Sequence, residues 1–310
     1  MANDFVTLAE LVQLNDQRLA DRDISDLLDD APILAALAAD TVDGTTHKYL
    51  KETGAPTVGF REVNKGRDLS KSADTLVEMA LKMLDASLRV DKGLAIGYRH
   101  GKEAFMGREG GRHLKAAFHA AEKQFIYGSV IDGEGFLGLA DALDNQDDAM
   151  VIDAGGTTAT TGSSVWLIRT VADLDAVAAI LGNDGVFEVG EIVEQEVLDP
   201  SSKPYTGLTQ SILGWLGLQV GGARDIARIA NITEDSSKTL TDDMISSALA
   251  LMPKLPTFMA MSRRSRKQLQ QARTATNSTG APAPFPTEAF GVPIIVSESI
   301  TDVEVLIEDA

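Results

Sequence analysis

The 310-residue chain contains no cysteine. Disulfides and thiolate metal sites are therefore excluded, and the composition is compatible with a reducing compartment. Histidine is scarce: His47, His100, His113 and His119 are the whole set, and no two stand at a spacing that puts metal ligands on one helix face. No apolar run reaches the roughly 18 residues of a membrane span, so no membrane partner is expected. The opening MANDFVTLAELVQL has neither a basic n-region nor a signal-type cleavage site, and export by that route is not expected. Positive charge is in deficit. Lys and Arg number 28 against 46 Asp and Glu, a net of −18, which argues against sequence-specific reading of nucleic acid and favours solubility.

Signatures of chemistry are missing as well. There is no G-x-S-x-G elbow, no H-E-x-x-H pair and no phosphate-loop or dinucleotide fingerprint. Gly107-Arg108-Glu109-Gly110-Gly111 precedes an expected helix, where an anion could sit, but Glu109 would repel a phosphate. Asp141, Asp144, Asp147 and Asp148 form an acidic loop without the glycine and glutamate that a calcium loop places at its sixth and twelfth positions. No catalytic, cofactor-binding or metal-binding set emerges, so the chain is not expected to be an enzyme and no cofactor is expected.

What is present is unevenly charged. Residues 1–46 hold ten acids against two arginines. Residues 47–72 carry Lys48, Lys51, Arg61, Lys65, Arg67 and Lys71 against Glu52, Glu62 and Asp68, six cations to three carboxylates. Two extended pieces, Tyr49–Thr53 and Thr57–Asn64, flank the breaker Gly54-Ala55-Pro56. Such an arm has little to bury in itself, and an isolated hairpin is marginal in water. It needs a partner surface, and the six cations are the expected contacts to an acidic neighbouring copy. A second basic cluster, Arg263, Arg264, Arg266 and Lys267, opens an expected helix, where cations oppose the dipole. It calls for compensating acid from a neighbouring subunit, from packaged phosphate, or from carboxylates of the same chain.

At this length two subdomains are expected. Helices are expected over 7–20, over 26–39 with an interruption at Pro32, and over 110–127, where Leu114, Phe118, Ala121 and Phe125 form one stripe ending at Gly128. Residues 73–91 have the composition of a helix, but Val77, Met79, Leu81 and Met83 alternate, and the stretch reads as a strand returning from the hairpin. Residues 164–170 read as a buried strand. A two-stranded structure is expected from Glu191–Leu198, a turn at Asp199–Ser202 and one return run, Tyr205–Val220, followed by a short helix over 223–229. The final third reads as α/β: a helix capped by Thr241, a strand over 257–261, a helix opened by Ser262, and strands over 292–296 and 303–307.

The order of these pieces carries a resemblance. It runs through H-K-x(5)-G-x-P-T-x-x-x-R-x-x-N-x-G from His47 to Gly66, Val90-Asp91-Lys92, Phe125-Ile126-Tyr127-Gly128 and Phe136-x-Gly138-Leu139-Ala140. It continues through Ile152-Asp153-Ala154-Gly155-Gly156-Thr157, Ser164-Val165-Trp166-Leu167, Trp215-x-Gly217-Leu218 and Ala227-Arg228-Ile229-Ala230-Asn231-Ile232. Met261-Ser262-Arg263-Arg264 and Phe290-Gly291-Val292-Pro293-Ile294 close it. Over nearly its whole length the chain resembles tailed-bacteriophage major capsid proteins with the Hong Kong 97-type α+β fold, in the branch typified by the epsilon-fifteen and Bordetella phages.

That resemblance implies an N-terminal arm at 1–44 and an extended loop at 45–74. It implies a peripheral domain at 75–135 and 186–232, with a spine helix and a long β-hairpin, and an axial domain at 136–185 and 233–310, with strand order rearranged. It further implies hexamers and pentamers in an icosahedral virion shell, assembled in the host cytoplasm around double-stranded DNA. Scaffolding, decoration and portal proteins are the implied partners. A nanocompartment shell of the encapsulin kind is the alternative within the fold, and an α/β enzyme the alternative outside it. Lys65 lies in the loop that some relatives cross-link, but no acceptor asparagine with its catalytic glutamate is identifiable, so no cross-link is expected.

Overall fold

The computed structural model describes residues 31–308 except 55, 69, 172–175, 223 and 276–280. The helix expected over 7–20 lies outside the described residues. Pro32, expected to interrupt a helix, instead begins one, α1 (Pro32–Ala36). Its fixed φ and missing N–H suit a first helical position. Strand β1 (Ala39–Thr41) follows, then a turn at Asp43-Gly44 in which Gly44 has φ +94°.

Strand β2 (Thr46–Gly54) pairs antiparallel with β3 (Ala73–Ala80), from Thr46↔Ala80 to Gly54↔Ala73. Of the strand expected over 73–91, only Ala73–Ala80 is present as the return strand; the rest breaks into two further strands that join other sheets. The inner hairpin expected around Gly54-Ala55-Pro56 is not present. Residues 56–68 are irregular, because Pro56 offers no N–H and Thr57–Asn64 finds no strand to pair with. The chain returns through β4 (Lys82–Asp85) and β5 (Leu88–Asp91) into α2 (Lys92–Ile96), which the Asp91 carboxylate caps by accepting from the Gly93 N–H at 2.6 Å.

Helix α3 (Lys102–Tyr127) starts a full two turns before the expected Gly110. Gly107, Gly110 and Gly111 lie inside it, which removes the anion site read at that run. The stripe Leu114, Phe118, Ala121 and Phe125 is buried as expected. Gly128 ends the helix at φ +54°. A Cβ there would fall 2.2 Å from the Gly138 backbone N, at the entry to α4 (Leu139–Ala142).

The remaining strands are β6 (Val151–Asp153), β7 (Ser163–Ile168), β8 (Val177–Leu181), β9 (Glu188–Val189), β10 (Val193–Leu198), β11 (Pro204–Gln210), β12 (Ile212–Val220) and β13 (Ile226–Ile232). Helix α5 (Asp242–Leu251) is capped by Thr241, whose hydroxyl accepts from the Met244 N–H. Strand β14 (Phe258–Met261) leads to α6 (Arg263–Ala275), whose Ser265 N–H is bonded by the Ser262 hydroxyl, and β15 (Glu288–Ala289) and β16 (Val292–Val296) follow.

Four sheets result. One runs β1-β8-β12-β4 with β9 on β12, one β10-β11-β5, one β15-β16-β14-β7-β13-β6, and the fourth is β2-β3. The hairpin turning at Asp199–Ser202 forms, with Leu198↔Pro204 next to the turn. Its expected return run breaks at Ser211: β11 stays with β10, while β12 crosses into the sheet of β4 and β8. Residues 226–232 are a strand, not a helix. β13 is buried at every position between β7 and β6, so both faces are apolar and no two-residue alternation marks it. Residues 303–307 make one bridge, Glu304 to Gly162, rather than a strand.

The sheets also cross the expected domain limits. β13 belongs with β7, β14 and β16, and β8 belongs with β12. One apolar core runs from α1 past α3 to the six-stranded sheet, with Trp166 fully buried in it.

Two buried carboxylates tie distant segments together. Glu122 of α3 accepts from the N–H groups of Ile33 and Leu34 at 2.9 and 3.3 Å, and from the Ser297 hydroxyl. Burial pushes its carboxyl pKa up in spite of those donors. Glu304 accepts from Tyr127 Oη at 2.6 Å, Ser164 Oγ at 2.5 Å and Arg228 Nη2 at 3.2 Å.

Candidate assembly surface

The β2–β3 hairpin has two unlike faces. Alternation turns His47, Tyr49 and Lys51 to one side and Lys48 and Leu50 to the other. On the first side His47 Nε2 lies 2.6 Å from Gln219 Oε1 of β12, and the His47 and Tyr49 rings stack at 5.8 Å. Met79, beyond the ladder partner of Tyr49, packs on a small cluster of Leu81, Ala178 and Ile180. This side holds the root of the hairpin to the body. On the second side Leu50 faces its ladder partner Leu76, and both are exposed. Beside them Lys48 pairs with its own ladder partner Glu78 at 3.2 Å.

Beyond Gly54 the loop is braced by itself. Arg67 donates to the carbonyls of Gly59 at 2.7 Å and Thr57 at 2.8 Å. Ser70 Oγ accepts from the Thr57 N–H at 2.6 Å, Arg61 donates to the Lys65 carbonyl at 3.1 Å, and Lys65 pairs with Glu62. Among the described residues, the hydrogen bonds and ion pairs of 56–71 all close within the loop. Four of the six cations singled out from sequence, Lys48, Arg61, Lys65 and Arg67, thus have partners inside the hairpin or its tip. Lys51 is half-buried on β2, and Lys71 is exposed.

What the charge pattern did not disclose is apolar. Val58, Phe60 and Val63 are 85 %, 108 % and 87 % exposed on this loop. Three large apolar residues left exposed together at the end of an arm are the kind of surface that binds a partner. The sequence signal was available: three large apolar side chains within six residues of a polar segment, with no strand to receive them.

The second basic cluster divides. Arg263 pairs with Glu298 at 2.7 Å and stays largely exposed, and Lys267 is exposed. Arg264 turns inward. Its guanidinium donates to the carbonyls of Thr161 at 2.7 Å and Asp302 at 3.1 Å, and it lies 3.3 Å from the Asp302 carboxylate. Arg266 donates to the Pro286 carbonyl at 3.0 Å and lies over the Phe285 ring at 5.2 Å. The compensating acid for Arg263 and Arg264 is therefore local, and Arg264 is not placed to meet a partner. Among the described residues no group of His, Asp and Glu is arranged to hold a metal ion, and no helix is long and apolar enough to cross a membrane.

No curated protein sequence matches the chain. Among solved structures, the chain is similar to that of bacteriophage Epsilon15, with a TM-score of 0.60, 19 % identity and 88 % of each chain covered. Two further likenesses are weaker. The bacteriophage JBD30 capsid gives a TM-score of 0.48 at 10 % identity, covering 86 % of this chain and 89 % of that one. The holo-SrpI encapsulin complex of Synechococcus elongatus gives 0.45 at 9 % identity, covering 66 % and 88 %. The α+β architecture is the Hong Kong 97-type capsid fold. The family model for the major capsid protein GP7 matches residues 17–280. With a self-braced arm on that fold and a family match over most of its length, the chain belongs to the GP7 family of major capsid proteins and is a shell-forming subunit of a bacteriophage.

Proposed function

We propose that copies of this subunit assemble as hexamers and pentamers into an icosahedral shell that encloses double-stranded DNA without reading its sequence. Assembly takes place in the host cytoplasm, with scaffolding, decoration and portal proteins as partners. Residues 1–44 serve as the N-terminal arm and 45–74 as the extended loop that lies over the neighbouring subunit. The spine helix α3 and the β10–β11 hairpin form the peripheral part, and the six-stranded sheet with α5 and α6 forms the axial part. Because β13 pairs inside that sheet, the boundary of the axial part is drawn before Ile226.

The observation that carries this reading is the hairpin. Its root is bonded to the body, its tip is bonded only to itself among the described residues, and its exposed face is apolar as well as cationic. A second copy is the surface a shell subunit always has at hand. Each exposed ion pair contributes about 0–1 kcal/mol, so Lys51, Lys71 and the partnered Lys48, Arg61, Lys65 and Arg67 set orientation more than strength. Arg263 and Lys267 are the exposed cations of α6 and the contacts this reading gives to packaged phosphate or a neighbouring chain.

The test is electron microscopy of the expressed protein, with nucleic-acid content measured on purified particles. It is paired with a chain in which residues 56–71 are replaced by a short Gly-Ser link. The wild type is expected to form closed shells, and the shortened chain to fold but remain unassembled. Normal particles from the shortened chain would overturn the role given to the loop.

A further inference from the structure

A cavity large enough to take the ring of the exposed Phe60 lies on the body of the chain. It is about 230 Å³ and opens between α3, β4 and the loop that follows α3. Its walls include Met83, Leu84, Ala121, Ile131, Phe136 and Leu216. Met83 and Ile131 are about half exposed at its mouth. The cavity is preformed. Gln124, buried at its back, donates from Nε2 to the carbonyls of Phe136 at 2.7 Å and Asp132 at 3.2 Å, and so holds the loop that makes one wall. A dry apolar cavity of about 150 Å³ already accommodates benzene, so a phenyl ring fits with room for a neighbouring methyl. At the rim Lys82 and Lys123 stand with Asp132 and Glu134. Both Arg61 and Glu62, next to Phe60 in the chain, therefore have groups of opposite charge available there.

The ring cannot be the chain's own. The cavity lies against β4, directly after the inner end of β3, while Phe60 lies beyond the outer end. Eight residues of β3 separate the two ends, about 26 Å of strand. We propose that the exposed tip of one subunit inserts Phe60 into the cavity beside Met83 and Ile131 of an adjacent copy, and that this apolar anchor, flanked by Val58 and Val63, supplies most of the strength of the loop's contact. This rests on the reading that the loop docks on a second copy, and goes beyond it in naming the receptor and the anchor.

The absence of cysteine makes the test direct. Phe60→Cys is combined in turn with Met83→Cys, with Ile131→Cys, and with the exposed Val305→Cys, which does not line the cavity. Assembled particles are treated with a short bismaleimide and run on denaturing gels. The two cavity pairs are expected to give multimers that join different chains, the Val305 pair none, and unassembled subunits none. Single maleimide labelling at position 60 is expected to slow on assembly. If Phe60→Cys alone blocks assembly, the same measurements are made on particles co-assembled with excess wild-type chain. Protection of position 60 without cavity cross-links overturns the receptor but leaves loop docking standing. Equal labelling of Val63→Cys chains, which keep Phe60, in particles and in free subunits overturns loop docking itself. Cross-links confined to single chains, or Ile131→Cys left open to label in particles made of this chain alone, overturn the proposal.

Discussion

Glu304→Ala is expected to cost about 3–5 kcal/mol of subunit stability. The carboxylate is 7 % exposed and faces Arg228, whose side chain is 6 % exposed, so neither charge is solvated. Removing it leaves Arg228 with the Leu143 carbonyl at 2.9 Å, the Ser164 hydroxyl at 3.0 Å and the face of Trp166 at 4.8 Å, but no counter-charge. Stranding a buried cation in this way is the main cost. Tyr127 loses the acceptor for its hydroxyl, which burial and the charge of Glu304 keep protonated by holding its pKa far above the ordinary tyrosine value. An unsatisfied buried donor adds about 1–3 kcal/mol if the site does not relax, which places the result toward the upper end. Glu304→Gln keeps one acceptor but still strands Arg228 and turns an amide N–H toward a donor, so it is expected to cost nearly as much.

Arg228→Met with Glu304→Leu removes both charges and is expected to lie within about 1–2 kcal/mol of wild type, because the desolvation penalty goes with the pair. The assay is urea unfolding of unassembled subunits at constant m-value, completed as a double-mutant cycle. A loss below about 1 kcal/mol for Glu304→Ala, or a coupling energy near zero, would refute the view that this buried pair fastens the C-terminal segment to β7 and α3.

Two further outcomes follow from the same structure. The raised folded-state pKa of Glu122 means that the native state holds its proton more tightly than the unfolded chain does. Its contribution to stability is therefore lost as pH rises from about 4.3, the unfolded value, through the raised native value. Subtracting the thermal-stability profile of Glu122→Gln from that of wild type across this interval should give a falling line, and a flat difference would contradict it. Gly128→Ala would place a Cβ 1.7 Å from Asp141 Oδ2 at φ +54°, and overpacking with backbone strain should cost about 2–6 kcal/mol by urea midpoint. A cost within 1 kcal/mol would show that the turn relaxes.

Much of the fold was legible wherever a local rule decided it. The buried stripe of α3, the caps Thr241 and Ser262 and the turn at Asp199–Ser202 each depend on residues a few positions apart, and each formed. Illegible elements depended on distant neighbours. β13 is a strand because β6 and β7 flank it, and nothing within residues 226–232 announces that. The break of the return strand at Ser211 depends on β4 and β8 competing for Ile212–Val220. At the assembly surface the loop itself was legible from its charge and its breakers, but the use of its charges was not. Arg67 reads as a docking cation until Gly59 and Thr57 are seen to turn their carbonyls toward it.

The balance of charge and apolar surface bears on how such a shell can close. Subunits of net charge −18 repel at long range, with a screening length of about 8 Å at physiological salt. Association therefore depends on contacts that act only when surfaces meet. A local excess of cations on the loop lowers the repulsion where the arm approaches an acidic neighbour, and the largest gain arrives only once an apolar side chain is covered. Charge sets the approach and burial sets the hold. A misplaced copy that satisfies the charges but leaves Phe60 in water would then be held weakly and released, whereas a correctly seated copy keeps its place.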